Sequence, residues 1–277
     1  MRRPGAGPAR LETWIALAAM AAMTLLPLAE ILARKAIGRG LPGTAPVVQH
    51  LTLWVAFLGA ALAARFDKLL ALSTVSFLPP AWLHPVRLFT GALTAAVAAG
   101  LAWASIGLIQ AEREAGTILV AKIPIWLVAA VMPLGFAAVA VRVIWRASPR
   151  WWGRAIAALG LAVPLVLAQA APMGSERLVA PAVLVILAAT LLGLPIFAAI
   201  GGLALIFFWS SGTPVAAVTV EAYRLAASPL LPAIPLFTLA GYFLAEGGAS
   251  QRLVRTFEAL VGWMPAGPAV LTVLVFA

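Results

Sequence analysis

The sequence predicts an all-α, polytopic integral membrane protein with about 7–8 transmembrane helices and further amphipathic helices at the interfaces. Three observations carry this. Of the 277 residues, 64% are hydrophobic and 10% charged, where a soluble domain carries about 25% charged residues. Mean hydropathy is +1.05. Apolar runs of membrane-crossing length recur along the chain, and the loops between them hold most of the Arg and Lys. The net charge of +10, from 19 Lys+Arg against 9 Asp+Glu, suits basic cytoplasmic loops and argues against a nucleic-acid partner. With zero cysteines there are no disulfides and no thiolate metal sites. His50 and His84 lie far apart, so no His-based metal cluster is expected, and the residues call for no cofactor.

The first apolar run starts at Leu11, behind the basic head MRRPGAGPAR. A cleaved signal peptide has that outline, but the run continues toward Ile37 with no small-residue cleavage site, so a membrane helix at 11–33 is favoured. Further helices are predicted at 47–66, 86–109 and 123–145, with the polar stretch AEREAGTILVAK between the last two. Basic residues concentrate in 1–10, 65–87 and 142–154, the last holding Arg142, Arg146, Arg150 and Arg154 without an acid. The positive-inside bias therefore puts the N-terminus and the end of the four-helix block in the cytoplasm, with Arg34, Lys35 and Arg39 opposing it. One more apolar crossing is expected at 154–171.

Leu178 to Ser210 is too long for one crossing and too short for two full ones, and Gly193-Leu194-Pro195 lies in its middle. A break between two short helices is the favoured solution, a kinked single helix the other. Val215 to Ala226 reads as a surface helix carrying Glu221 and Arg224. From Leu230 to Ala245 runs an apolar helix crowded at its start by Pro229, Pro232 and Pro235, which predicts a broken or kinked beginning, and it closes at Glu246, Gly247 and Gly248. Gln251 to Trp263 is amphipathic: Leu253, Val254, Phe257, Leu260 and Val261 share one face, opposite Gln251, Arg252, Arg255 and Glu258. Pro265 and Pro268 mark a turn, after which AVLTVLVFA begins another apolar element.

The wording of Leu231 to Val254, LPAIPLFTLAGYFLAEGGASQRLV, resembles the large membrane subunit of the tripartite ATP-independent periplasmic (TRAP) transporters, with Leu244 near a position where that family usually has methionine. Leu192 to Phe197, LGLPIF, is similar to an element of that subunit's first membrane segment. Glu30 and Arg34, LWVAFLGA at 53–60 and Ala64-Arg65 resemble the family's small membrane subunit. The resemblance implies a fused polypeptide: a small-subunit-like four-helix domain at 1–150, a linking transmembrane segment at 151–177, and the N-terminal, incomplete part of a large-subunit permease domain at 178–277. It also implies that the large subunit's hairpins, with the ion- and substrate-binding residues, are expected beyond Ala277.

No paired carboxylates, nucleophile triad, phosphate loop or metal-ligand spacing falls at matched membrane depth, so no catalytic residue and no enzyme activity are expected. The helix-break and scaffold candidates are Gly193, Pro195, Pro232, Pro235, Gly241, Glu246, Gly247 and Gly248, because transporters build sites from interrupted helices. Glu30 and Arg34, one turn apart, form a candidate interfacial ion pair. Trp82, Trp126, Trp145, Trp151, Trp152, Trp209 and Trp263 near helix ends fit an aromatic belt, as His50, His84, Gln110 and Gln169 fit interfaces. Gly100/Ala104 and Gly241/Ala245 have the spacing of close helix contacts.

What the resemblance implies in function is sodium-gradient-driven uptake, in the bacterial inner membrane, of small organic anions such as carboxylates. A periplasmic solute-binding protein would deliver them, and sodium would be the coupling ion of the full transporter. The expected partners are that protein, the remainder of the large permease subunit and the lipid bilayer. The alternative is a non-transporting membrane scaffold or assembly subunit.

Overall fold

The structure, a computed structural model, describes residues 8–72, 78–120, 122–169 and 176–248, together with isolated positions from 251 onward. Among the described residues the chain is helical, with two isolated β-bridges and no strand. Among the described residues, four helical stretches are long and apolar enough to cross a membrane. These are α1 (Pro8–Ile37), α2 (Thr44–Phe66), α3 (Pro80–Ala115), and α4 (Ile125–Ala129) running through a single turn residue into α5 (Val131–Ala147). Shorter helices follow: α6 (Trp151–Leu159), α7 (Ala162–Gln169), α8 (Glu176–Leu191), α9 (Ile196–Ser210), α10 (Ala216–Ala226) and α11 (Ala233–Glu246).

The chain divides into two compact units, Met1–Leu231 and Pro232–Ala277. In the first, α3 is the axis, packed on α5, α6, α9 and α10. Its most apolar window is 56% buried, against 6% for α1, which packs chiefly on α2. The apolar residues that α1 leaves exposed, Trp14, Leu25, Ile31 and Leu32 among them, are the surface a bilayer would cover. Residues 178–231 therefore pack together with the first four spans rather than standing apart from them.

One core joins α3 to α8 and α9 through Val97, Leu101, Ile186, Ala189, Leu194 and Ala198. Small residues let these backbones meet. A Cβ placed on Gly201 would come within 2.9 Å of Leu101, one on Gly202 within 2.9 Å of Val97, and one on Gly100 within 3.0 Å of Leu205. Gly100 and Ala104 thus lie in a tightly packed stretch of α3, with Ala104 buried. A second core, Leu53, Leu108, Val131 and Met132, receives Tyr223 and Ala226 of α10.

Within the stretch read as one crossing at 154–171, the described residues form two short helices, α6 and α7, separated at Gly160-Leu161. Pro164 has no N–H to offer the carbonyl of Gly160, which interrupts the ladder. At the same point the Gly160 backbone presses against the Ala92 carbonyl of α3, leaving no room for a side chain.

The second unit contributes α11. Pro232 is its N-cap and Pro235 stands in its first turn, where backbone N–H groups have no intrahelical partner in any case. The prolines therefore start this helix at Ala233, and the stretch from Ala233 to Glu246 continues without interruption, in place of the broken or kinked beginning expected from Leu230 onward. It ends as Gly247 donates its N–H to Phe243 O at 2.8 Å, with Gly248 following at φ 66°. Gly241 meets nothing of its own unit where a Cβ would stand. Of the predicted amphipathic helix 251–263, positions 251, 252, 254–256 and 259 are described and helical; Leu253, Phe257, Glu258, Leu260, Val261 and Trp263 lie outside the described residues, as does the Pro265–Pro268 turn.

Candidate functional site

The stretch Leu191-Leu192-Gly193-Leu194-Pro195 shows how a membrane chain can interrupt a helix without leaving polar backbone bare. Leu192 N–H donates to Ala188 O, Gly193 N–H to Thr190 O at 3.1 Å and Leu194 N–H to Ala189 O at 2.8 Å. With Gly193 at φ 91°, this is the Schellman termination, in which a left-handed residue folds two N–H groups back onto the last open carbonyls. Leu194, 0% exposed, inserts into the core beside Ala189, the apolar contact that accompanies such an end. Pro195 then caps α9, its carbonyl accepting from Ala198 and Ala199. Ile196 N–H donates to Leu70 O at 2.9 Å, and Ala71 and Pro195 form an isolated antiparallel bridge. At about 1.5 Å per residue, α8 and α9 each reach only about 22–24 Å, short of the ~30 Å hydrocarbon core.

Beside this break opens a cleft of about 440 Å³ between the end of α2, the beginning of α3 and the end of α5. Leu192, Gly193 and Pro195 line one wall, and Asp67, Arg87 and Arg146 supply its charge. Arg87 pairs with Asp67, which is held at φ 59° as the α2 C-cap, where its N–H closes onto the last turn. Thr90 and Thr94 also line the cleft, but their hydroxyls donate to Val86 O and Thr90 O of their own helix.

Two polar constellations in the same unit join distant parts of the chain. Glu12 of α1 accepts from Arg142 of α5 at 2.5 Å and lies 3.6 Å from Arg65 of α2, tying three helices together at one end. Near the other end, His50 of α2 and Tyr223 of α10 are 2.7 Å apart. His50 Nδ1 stands 2.8 Å from Pro46 O, and because a carbonyl only accepts, Nδ1 carries the proton and Nε2 receives the Tyr223 O–H. Burial, with the negative Glu112 nearby as a lesser cause, pushes the Tyr223 phenol up to about 12.

Gly193 and Pro195 sit together in the cleft wall, whereas Pro232, Pro235, Gly241, Glu246, Gly247 and Gly248 belong to α11 and its end in the second unit. Glu30 and Arg34 form an ion pair at 2.7 Å, with the Arg34 side chain 70% exposed. Trp82, Trp145 and Trp151 are exposed near helix ends, and Arg154 lies over the Trp145 ring at 4.3 Å. Among the described residues no group of three or more His, Cys, Asp or Glu could hold a metal ion. Sequence reasoning missed Glu12 and the His50–Tyr223 link. Glu12 was the one legible signal, a lone acid heading an apolar run, whereas Arg65 and Arg142 counted only as topological charge.

Comparison with known proteins divides the chain in the same order. Residues 23–153 match the DctQ component of the tripartite ATP-independent periplasmic transporters, and residues 183–277 match their DctM component. The chain is 25% identical over 238 residues to the isethionate TRAP transporter permease protein DctMQ of Oleidesulfovibrio alaskensis, covering 83% of this chain and 37% of that protein. It is 34% identical over 86 residues to the C4-dicarboxylate TRAP transporter large permease protein DctM of Vibrio cholerae, covering 30% of this chain and 19% of that one. The chain thus spans well under half the length of either relative.

Proposed function

The chain belongs to the tripartite ATP-independent periplasmic transporter family, a DctQ-type region preceding a DctM-type region on one polypeptide, and from that premise we propose a sodium-driven carrier. Membrane transport is its role, as part of a multi-pass inner-membrane permease. The finer reading is that the permease takes up small organic anions such as carboxylates, delivered by a periplasmic binding protein, with sodium as the coupling ion. The names of its relatives, an isethionate and a C4-dicarboxylate permease, both denote small organic anions and support that class.

The observation that carries the reading is the joint packing of the two regions. The α8–α9 pair and α10, from the DctM-type part, dock on α2, α3 and α5 of the DctQ-type part through the two apolar cores and the His50–Tyr223 hydrogen bond. On this reading residues 11–145 serve as a fixed frame, and the positive-inside bias supports an N-terminus in the cytoplasm. The stretch 251–263 is an arm toward the moving part of the permease.

The test is uptake into proteoliposomes by the permease that carries this chain, using labelled succinate and isethionate. Uptake is expected only with an inward sodium gradient and the cognate periplasmic binding protein together. Uptake that is indifferent to sodium, or that proceeds without the binding protein, overturns the corresponding part. A permease that binds its partners and moves no solute supports the scaffold reading instead.

A further inference from the structure

The cleft beside the α8–α9 break has a charge imbalance that nothing among the described residues answers. Its two guanidiniums, Arg87 and Arg146, face one carboxylate, Asp67. Asp67 engages Arg87, and Arg146 has no hydrogen bond or ion pair among the described residues. The hydroxyls of Thr90 and Thr94 are committed to their own helix, so they offer no competing donors. The rest of the lining is apolar, with Leu83, Val86 and Val143 among it. Trp82 and Trp145, sequence neighbours of the lining residues Leu83 and Arg146, are 62% and 66% exposed, as side chains at the level of lipid headgroups are.

We propose that this cleft is a binding site for one anionic glycerophospholipid of the cytoplasmic leaflet. Its phosphodiester would pair with Arg146 and the free edge of Arg87, and an acyl chain would cover the apolar wall. Three features select this occupant. A planar guanidinium presents paired N–H groups that match phosphate oxygens. A lipid of net charge −1 neutralises the one unbalanced positive charge, whereas an ethanolamine or choline headgroup brings its own cation to Arg146. A free phosphate would leave the leucine and valine wall wet, which an acyl chain would not. The placement in the cytoplasmic leaflet rests on the positive-inside orientation, under which basic pockets between spans at that face take acidic headgroups.

The site is tested on the delipidated 277-residue chain in nonionic detergent, by native mass spectrometry with phosphatidylglycerol, phosphatidylcholine and inorganic phosphate as probes. Phosphatidylglycerol is expected to remain bound about tenfold more tightly than phosphatidylcholine, and Arg146→Gln to erase that preference. Arg146 is the residue to change because among the described residues it has no hydrogen bond or ion pair, whereas losing Arg87 would strand Asp67. Arg252→Gln, in the other compact unit, should keep the preference. Equal retention of both lipids, an Arg146→Gln chain that still prefers phosphatidylglycerol, an equal loss in Arg252→Gln, or displacement of the lipid by equimolar phosphate would each overturn the site. None of these readouts involves transport, so a failed uptake assay leaves the site standing.

Discussion

Residues 191–196 and residues 229–235 carry the same ingredients, helix-ending residues inside apolar stretches, and the chain uses them in opposite ways. At the first, Gly193 turns left-handed, two N–H groups fold back on α8, and Ile196 passes its donor to Leu70 of another loop. At the second, Pro232 and Pro235 occupy the cap and first turn of α11, where the missing donors would have had no partner anyway. The first is an interruption satisfied by the tertiary structure; the second is an ordinary beginning. Proline in a membrane segment therefore signals a break only where something else answers for the exposed backbone.

The largest separation between the two should come from Leu194→Ala. Removing a side chain that is 0% exposed in the α3–α8–α9 core is expected to lower unfolding stability by about 2–5 kcal/mol, read as a shift in denaturant or thermal midpoint in detergent. A shift within experimental scatter would mean that the turn is not anchored by its apolar contact. Next comes Gly193→Ala, expected to lose about 1–2 kcal/mol because an L side chain resists the left-handed backbone, with Gly193→Asn losing less. If alanine is as good as glycine, the Schellman geometry is wrong.

A smaller effect belongs to the His50–Tyr223 link that holds α10 beside these helices. The folded phenol ionises at about 12 instead of 10.0, so its contribution is complete below pH 10 and fades as the pH climbs toward 12. The chain has two tyrosines, so in a Tyr242→Phe variant phenolate absorbance should appear only near pH 12; a midpoint near 10 would place Tyr223 in open solvent. The smallest effect is expected for Pro235→Ala, within about 0.5 kcal/mol, because the N–H it would add lies in the first turn, where helical N–H groups have no intrahelical partner. A loss matching that of Gly193→Ala would erase the contrast.

Much of this architecture could be read from residue order. The four long spans follow from apolar length, and the break at Gly193-Leu194-Pro195 from a local pair of residues that end and restart helices. What escaped depends on distant partners. The turn at Gly160-Leu161 combines a local proline with a close approach to Ala92, visible only once α3 lies alongside. Glu12, Arg65 and Arg142 are spread over 130 residues, and no periodicity announces that they meet. Gly201-Gly202 looked like unremarkable members of an apolar run until their faces met Leu101 and Val97. The cleft itself was foreshadowed only in part, since Gly193 and Pro195 could be named but not the arginines they would face.

Because α3 meets α9 within one polypeptide, the tight glycine seam between the DctQ-type and DctM-type regions forms without a search for a partner. Tethered surfaces meet at millimolar effective concentration, so a seam far too weak to hold two separate chains at micromolar abundance would stay largely closed here. The two regions are also bound to occur in equal numbers in every membrane. Selection is then free to loosen this junction, one substitution at a time, without losing the assembly.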